Sequence, residues 1–181
     1  MTSEADDRSL VRESLRGDSR AFETLVERYY KVLFNIAFRM VNDPEDALDI
    51  TQATFMKAYD KLSSYDPKYK FFSWIYRIMT NESLNFIGRK KFHEPLDLGL
   101  VAAQRNPQEE YEGRRLGEAV QSALMRLSPD HRQVVVLRHF VALSYKEISS
   151  ALGLPEKTVK SRLFAARRQL GSILVNRSAT T

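Results

Sequence analysis

The segment Ser144-Tyr-Lys-Glu-Ile-Ser-Ser-Ala-Leu-Gly-Leu-Pro-Glu-Lys-Thr-Val-Lys-Ser-Arg-Leu-Phe-Ala-Ala-Arg-Arg-Gln-Leu170 holds two helix starts and one turn. Ser144-x-x-Glu147 is a capping box, in which a hydroxyl and a carboxylate satisfy each other's backbone donors as a helix begins. Gly153-Leu154-Pro155 makes a short turn, small Ser149 sits where two helices must approach, and a last helix is expected from about Glu156 to Leu174. Val159, Leu163, Ala166 and Leu170 form its inward stripe. That leaves Lys157, Lys160, Ser161, Phe164 and Arg168 to face a DNA major groove, as the second helix of a helix-turn-helix does. The alternative is an ordinary helical hairpin with a solvated basic face; the turn, the capping box and the charge together favour DNA binding.

Working outward, helical periodicity dominates and strand signals are weak, with only 7 Gly and 6 Pro to interrupt 181 residues. Asp18 is placed to cap a helix running from about Ser19 to Met40, whose Phe22, Leu25, Val26, Tyr29, Tyr30 and Leu33 recur at helical spacing. Asp43-Pro44-Glu45-Asp46 opens another, to about Leu62, with a cap, a proline at the first helical position and two acids at the positive dipole end. After a break at Ser63 to Pro67 a further helix spans roughly Phe72 to Arg89. From about Phe92 to Pro107 the periodicity fades, and Pro95, Gly99 and Pro107 punctuate a linker. Helicity resumes near Gln108, and Ser128-Pro129 starts a helix to about Val141. The expected fold is all-α: two small helical domains joined by a flexible linker, the C-terminal one containing the helix-turn-helix. The boundaries are 1–92 and 113–176, with the linker at 93–112 and a tail at 177–181.

The formal charge of +5 is unevenly placed. Residues 1–60 carry 12 acidic and 8 basic side chains, whereas residues 61–94 hold 7 basic against 3 acidic and residues 156–177 hold 6 basic against 1 acidic. Two separate basic regions are the footprint of phosphate binding, since lysine and arginine release condensed counterions there. The absence of cysteine rules out disulfides and cysteine-based zinc sites. No apolar run is long enough to cross a bilayer, and the acidic opening Met1 to Asp7 lacks the segments of a signal peptide, so a cytoplasmic location without stable membrane insertion is expected. No phosphate-cradling glycine loop is present, and His93, His131 and His139 lack ligand spacing with an acidic partner. Neither catalysis, a metal nor a cofactor is expected.

Six aromatic residues fall between Tyr65 and Tyr76: Tyr65, Tyr69, Phe71, Phe72, Trp74 and Tyr76, interleaved with Lys68, Lys70 and Arg77. Stacking platforms beside cations suit unpaired bases. Trp74 and Ile78 are expected in the core, and Tyr65, Lys68, Tyr69 and Lys70 in a loop where burial is less expected.

These residues, in this order, resemble the extracytoplasmic-function (ECF) group of bacterial RNA polymerase sigma factors, group 4 of the sigma-70 family. Pro44-Glu-Asp-Ala-Leu-Asp-Ile-Thr-Gln-Ala-Thr-Phe55 with Lys57-Ala-Tyr59 is similar to their polymerase-binding helix, and Phe71-Phe-Ser-Trp-Ile-Tyr-Arg-Ile-Met-Thr-Asn81 to their promoter-melting region. Leu127 to Arg138, Leu143 to Ile148 and Leu154 to Leu170 resemble their second DNA-binding domain. The resemblance implies that the first domain binds the clamp helices of the polymerase's largest subunit, through Asp46, Asp49, Gln52 and Phe55 or their supporting shell. It also implies that this domain captures bases of the melted −10 element, with Asn81 lining a pocket beside Tyr65, Lys68, Tyr69 and Lys70. The second domain is implied to meet the polymerase flap region and bind −35 duplex through Arg138, Lys157, Lys160, Ser161, Phe164 and Arg168. The linker would thread the active-site cleft, and an anti-sigma factor tied to a stress signal is the expected regulator. Three positions depart from the pattern: Ala53 stands where many relatives carry glutamate, Pro67 where glycine is frequent, and Ala165 where some place arginine. A conventional regulator acting on duplex DNA alone is the competing class, but it has no need of the aromatic loop.

Overall fold

The computed structural model describes residues 4–93 and 110–178; among these the ordered elements are eight α-helices and one 3-10 turn, with no strand. Helices α1 (Glu4–Leu15), α2 (Ser19–Val41), α3 (Pro44–Asp60), the turn Leu62–Ser64 and α4 (Phe71–His93) make an N-terminal unit. Helices α5 (Glu110–Met125), α6 (Pro129–His139), α7 (Tyr145–Leu152) and α8 (Glu156–Ser178) make a C-terminal one. Among the described residues no helix is long and apolar enough to cross a membrane.

The helix starts are set by local chemistry. Asp18 accepts a hydrogen bond from the Arg20 amide at 3.0 Å, and Asp43 accepts from the Glu45 and Asp46 amides at 2.9 Å each, which supplies acceptors to otherwise orphaned N–H groups. α2 ends at Asn42 in the left-handed region, with φ of 61°. Its apolar stripe then places Leu25, Leu33, Ile36, Ala37 and Met40 in the core against α3 and α4.

The sequence reading has no helix before Ser19, yet α1 is there. Charge and a narrow apolar stripe dock it: Arg28 pairs with Asp6 and Asp7, the Tyr29 hydroxyl donates to the buried Asp7 carboxylate, and Val11 enters the core with Leu10 beside it. Burial first, then Asp7, raises the Tyr29 hydroxyl well above the ordinary tyrosine value. The expected linker is also shorter, because α4 runs to His93 and α5 begins at Glu110, so both of its ends are helical. Its remainder, residues 94–109, lies outside the described residues, as does the tail beyond Ser178.

α6 buries six consecutive residues, Arg132, Gln133, Val134, Val135, Val136 and Leu137. A helix buried all round must be covered on every side. α7 and α8 cover part of it, and α2 of the N-terminal unit covers the rest. At that seam the Arg132 guanidinium donates to the carbonyls of Leu124 at 3.0 Å, Met125 at 3.0 Å and Leu127 at 3.1 Å, and across the units to Met40. One cation thus serves the C-terminal ends of α5 and α2, where the helix dipoles favour positive charge. Burial lowers its pKa to about 10, so it stays protonated at neutral pH. Gln121 adds donations to the Phe38 and Arg39 carbonyls, both at 3.4 Å, and Arg39 lies 3.6 Å over the Phe140 ring. A second seam joins α4 to α7. There Lys70 pairs with Glu147 at 2.9 Å and Arg77 donates to the Ser150 carbonyl at 2.8 Å.

Candidate nucleic-acid interface

The capping box forms as the spacing demands. Ser144 Oγ accepts from the Glu147 amide at 3.3 Å, and the Glu147 carboxylate accepts from the Ser144 amide at 2.9 Å. Gly153 ends α7 with φ of 65°, a conformation that penalises any side chain, and its N–H donates to the Ser149 carbonyl. Ile148 and Ala151 of α7 meet Val159, Leu163 and Ala166 of α8, all buried. The opposite face of α8 carries Lys157, Lys160, Ser161, Phe164 and Arg168, and every one is exposed. Phe164 is 65% exposed, far more than a structural phenylalanine needs, with Arg168 held 5.9 Å over its ring.

At the edge of this face Tyr145 lies between two cations, Arg138 at 5.2 Å and Lys160 at 5.7 Å from the ring centre. Arg138 also donates to the Leu143 carbonyl at 2.8 Å, so it braces the α6–α7 turn while placing charge beside the exposed face of α8. Arg162 is different: it pairs with Asp130 at 3.1 Å and lies off the face.

On the N-terminal unit, the loop before α4 is ordered by its own tyrosines. Tyr65 is 9% exposed, its hydroxyl donates to the Tyr69 carbonyl at 2.7 Å, and its ring stands edge-on to Phe71 and Trp74 at 5.6 Å each. The Lys68 amide donates to Asp66 at 2.9 Å, which turns the chain and leaves Tyr69 56% exposed beside Lys68 and Lys70. Asn81 is exposed on α4 and shares a stripe with Trp74 and Arg77, the three at i+7, i and i+3. It lies about 15 Å along the helix axis from Phe71, where α4 begins.

α3 turns Ala47, Ile50, Thr51, Thr54, Phe55 and Ala58 into the core and leaves Leu48, Asp49, Gln52, Met56 and Tyr59 exposed. Asp46 is paired with Lys90 at 2.9 Å across a cleft between α3 and α4, which Asp49, Ala53, Glu82 and Arg89 also line. Met56 at 70% and Tyr59 at 55% exposure give this acidic face an apolar centre.

Residues 25–93 match the family model for Sigma-70 region 2, and residues 117–170 match the model for Sigma-70, region 4. The ECF RNA polymerase sigma factor SigE of Mycolicibacterium smegmatis is 35% identical over 173 residues, covering 91% of this chain and 67% of the relative. The chain belongs to the ECF sigma factors. SigW of Bacillus subtilis, also an ECF RNA polymerase sigma factor, is 30% identical over 172 residues, covering 88% of this chain and 92% of its own. Among solved structures, CnrH in complex with the cytosolic domain of CnrY is similar at TM-score 0.73 and 29% identity, covering 94% of this chain and 98% of CnrH. The sigma factor RpoE of Bartonella quintana, solved with the anti-sigma factor NepR, shares the fold at TM-score 0.68 and 22% identity, covering 84% and 96%. Sigma factors are initiation factors that bind DNA and are not enzymes.

Phe55 is 7% exposed and stacks with Tyr30 at 6.4 Å, which puts it beneath the exposed α3 surface, in the position of a supporting residue. Tyr65, expected in a loop with less burial, is instead buried at 9% exposure with Phe71 and Trp74 packed edge-on to its ring. Three further residues stand on the candidate surfaces, Met56 and Leu48 on α3 and Tyr145 on α7, together with Arg77, already noted among the cations of the aromatic cluster. Met56 carries the clearest signal in the sequence, an unbranched apolar residue set among the polar positions of an amphipathic helix.

Proposed function

We propose that this sigma factor binds core RNA polymerase and directs it to specific promoters, reading −35 duplex with α8 and melted −10 DNA with α4 and the loop before it. The observation that carries the reading is the exposed set Lys157, Lys160, Ser161, Phe164 and Arg168 on the second helix of a helix-turn-helix, behind a region-2 unit bearing its own cations and aromatics. Lys160 and Arg168 serve the phosphates, Ser161 and Phe164 the base edges, and Arg138 with Tyr145 supports them. Tyr69 offers an exposed ring to an unstacked base, Lys68 and Lys70 meet the strand, and Arg77 and Asn81 line its continuation along α4. The α3 face of Asp49, Gln52, Leu48 and Met56 docks on the clamp helices of the largest subunit, with Asp46 at its edge, while the C-terminal unit meets the flap. The protein works in the cytoplasm. The bound partner of the similar CnrH supports regulation by a protein that sequesters the factor, of the anti-sigma class. No cofactor takes part.

Two assays with purified core polymerase test this. Run-off transcription on linear genomic fragments should begin only when the factor is added, from a small set of sites. Co-purification of Asp49→Ala/Gln52→Ala/Met56→Ala with the core should fall at least tenfold; retention equal to the parent would move the polymerase contact away from α3.

A further inference from the structure

The second half of α2 carries a set of donors that neither polymerase nor promoter reading uses. Lys31, Asn35 and Arg39 recur at i, i+4 and i+8, so they share one face of the helix and spread over about 12 Å of its axis. This face lines a cavity of about 360 Å³, and the α6–α7 turn at Phe140 and Val141 forms its other wall. The volume falls within the range of about 300–1,000 Å³ of sites that hold small molecules. Val32 and Val141 give it apolar surface, and all four polar side chains that line it, Arg28, Lys31, Asn35 and Arg39, can donate hydrogen bonds. No carboxylate lines it among the described residues. The cleft between α3 and α4 has no such bias, since Asp46, Asp49 and Glu82 stand there with Arg89 and Lys90.

The three cations differ in how their charge is met. Arg28 is matched already, because Asp6 and Asp7 both pair with it. Lys31 is exposed and has no ion pair among the described residues. Arg39 is partly buried against neutral groups: the Gln121 amide oxygen accepts from it at 3.3 Å, and its guanidinium lies 3.6 Å over the Phe140 ring. Burial lowers the Arg39 pKa from its ordinary value. A desolvated cation without a counter-charge is costly, and an anion beside it offsets that cost.

We propose that this cavity binds a small phosphorylated ligand of the nucleoside diphosphate class, with its phosphate oxygens on Lys31, Asn35 and Arg39 and its organic part against Val32 and Val141. Donors spread over about 12 Å suit an anion whose charge is carried by more than one group, which favours a diphosphate over a single phosphate. The site is separate from the faces of α3, α4 and α8 assigned to polymerase and DNA, and its walls come from both units, so occupancy adds to the stability of the folded chain.

The test titrates the full chain with ADP, followed by calorimetry and by the NMR signal of the Asn35 side-chain amide, which Asn35→Ser identifies by its disappearance. One saturable site is expected, the Asn35 signal should move as it fills, and excess ADP should raise the melting temperature. Lys31→Ala/Asn35→Ser should bind ADP about tenfold more weakly, the size of one lost charge-assisted hydrogen bond. Both positions are exposed, so circular dichroism should match the parent. Lys61→Ala removes an exposed cation outside the cavity and should bind as the parent does. Equal loss in the two variants would mean that ADP senses only net positive charge, and an Asn35 signal that stays in place would remove the site; either result overturns the proposal. Succinate competing as well as ADP would overturn the assignment to phosphate, and pyrophosphate binding as tightly as ADP would overturn the role of the apolar walls.

Discussion

On α8 the reading side chains stand clear of the molecule, and Val159, Leu163 and Ala166 fix the helix from behind. At the start of α4 and just before it the comparable cations are engaged, Lys70 by a carboxylate and Arg77 by a carbonyl of the other unit. The difference fits the two substrates proposed for these surfaces. A duplex presents a preformed groove, so its reader can be rigid and open at all times. A melted strand exists only after bases have been unstacked at a cost of a few kcal/mol, and a strand reader left open would attract any polyanion.

The largest expected effect comes from removing the cation that joins the two units carrying these surfaces. Arg132→Met strips donors from four buried carbonyls and should lower unfolding stability in urea by about 3 kcal/mol, since hydrogen bonds to a charged group contribute about 1.5–3 kcal/mol each and neighbours relax. A loss below about 1 kcal/mol would mean that the two units do not depend on this residue.

On the open surface the effects divide by contact type. Ser161→Ala and Phe164→Ala should each relax discrimination at one −35 base pair by about 1–3 kcal/mol, whereas Lys160→Ala should weaken every sequence alike and flatten the salt dependence. Binding of a panel of −35 duplex variants separates these outcomes, and uniform loss from all three substitutions would show that α8 reads only the backbone.

Gly153 closes α7 in the left-handed region, with φ of 65°. Gly153→Ala forces a β-carbon into the left-handed region and should cost about 1–2 kcal/mol in thermal unfolding, with the −35 duplex preference unchanged.

The smallest effect is one of pH. The Ser144 amide first, then Lys70, holds the Glu147 carboxyl at about 2 against an ordinary 4.5. A depressed carboxyl stabilises the fold above its unfolded value and loses that stabilisation as pH falls through the folded one, so the window is pH 4.5 down to about 2. The group is partly exposed, and the loss should be about 1 kcal/mol, the size of a helix cap. Glu147→Gln should melt with less dependence on pH across that window than the parent.

Much of the architecture was legible because it rests on local chemistry. Asp18, Asp43, Ser128 and Ser144 are caps that any helix start would choose, and each accepts the amide bond expected of it. The exposed set on α8 was legible because Val159, Leu163 and Ala166 fix which face is inward. What escaped the sequence depended on distant partners. α1 is held by Arg28, far along the chain from Asp6 and Asp7, and no window of residues contains both. Tyr65 and Phe55 are ambiguous as types, since an aromatic ring stacks equally well on a base or a neighbouring side chain; burial against Phe71, Trp74 and Tyr30 decides. Arg132 and Gln121 have polar side chains that suit a surface, and nothing local reveals that Gln121 and one arm of Arg132 reach carbonyls of the other unit.

The bond from Arg132 to the Met40 carbonyl has a bearing on how the protein is made. The two residues are 92 positions apart, and synthesis at about 5–20 residues per second separates their appearance by roughly 5–20 seconds. For that interval α2 leaves the ribosome with its last carbonyls unserved, and the surface that α6 will cover faces water. Until residue 132 has cleared the exit tunnel and its guanidinium arrives, the nascent N-terminal half carries unserved carbonyls and an uncovered apolar surface of the kind that chaperones shield.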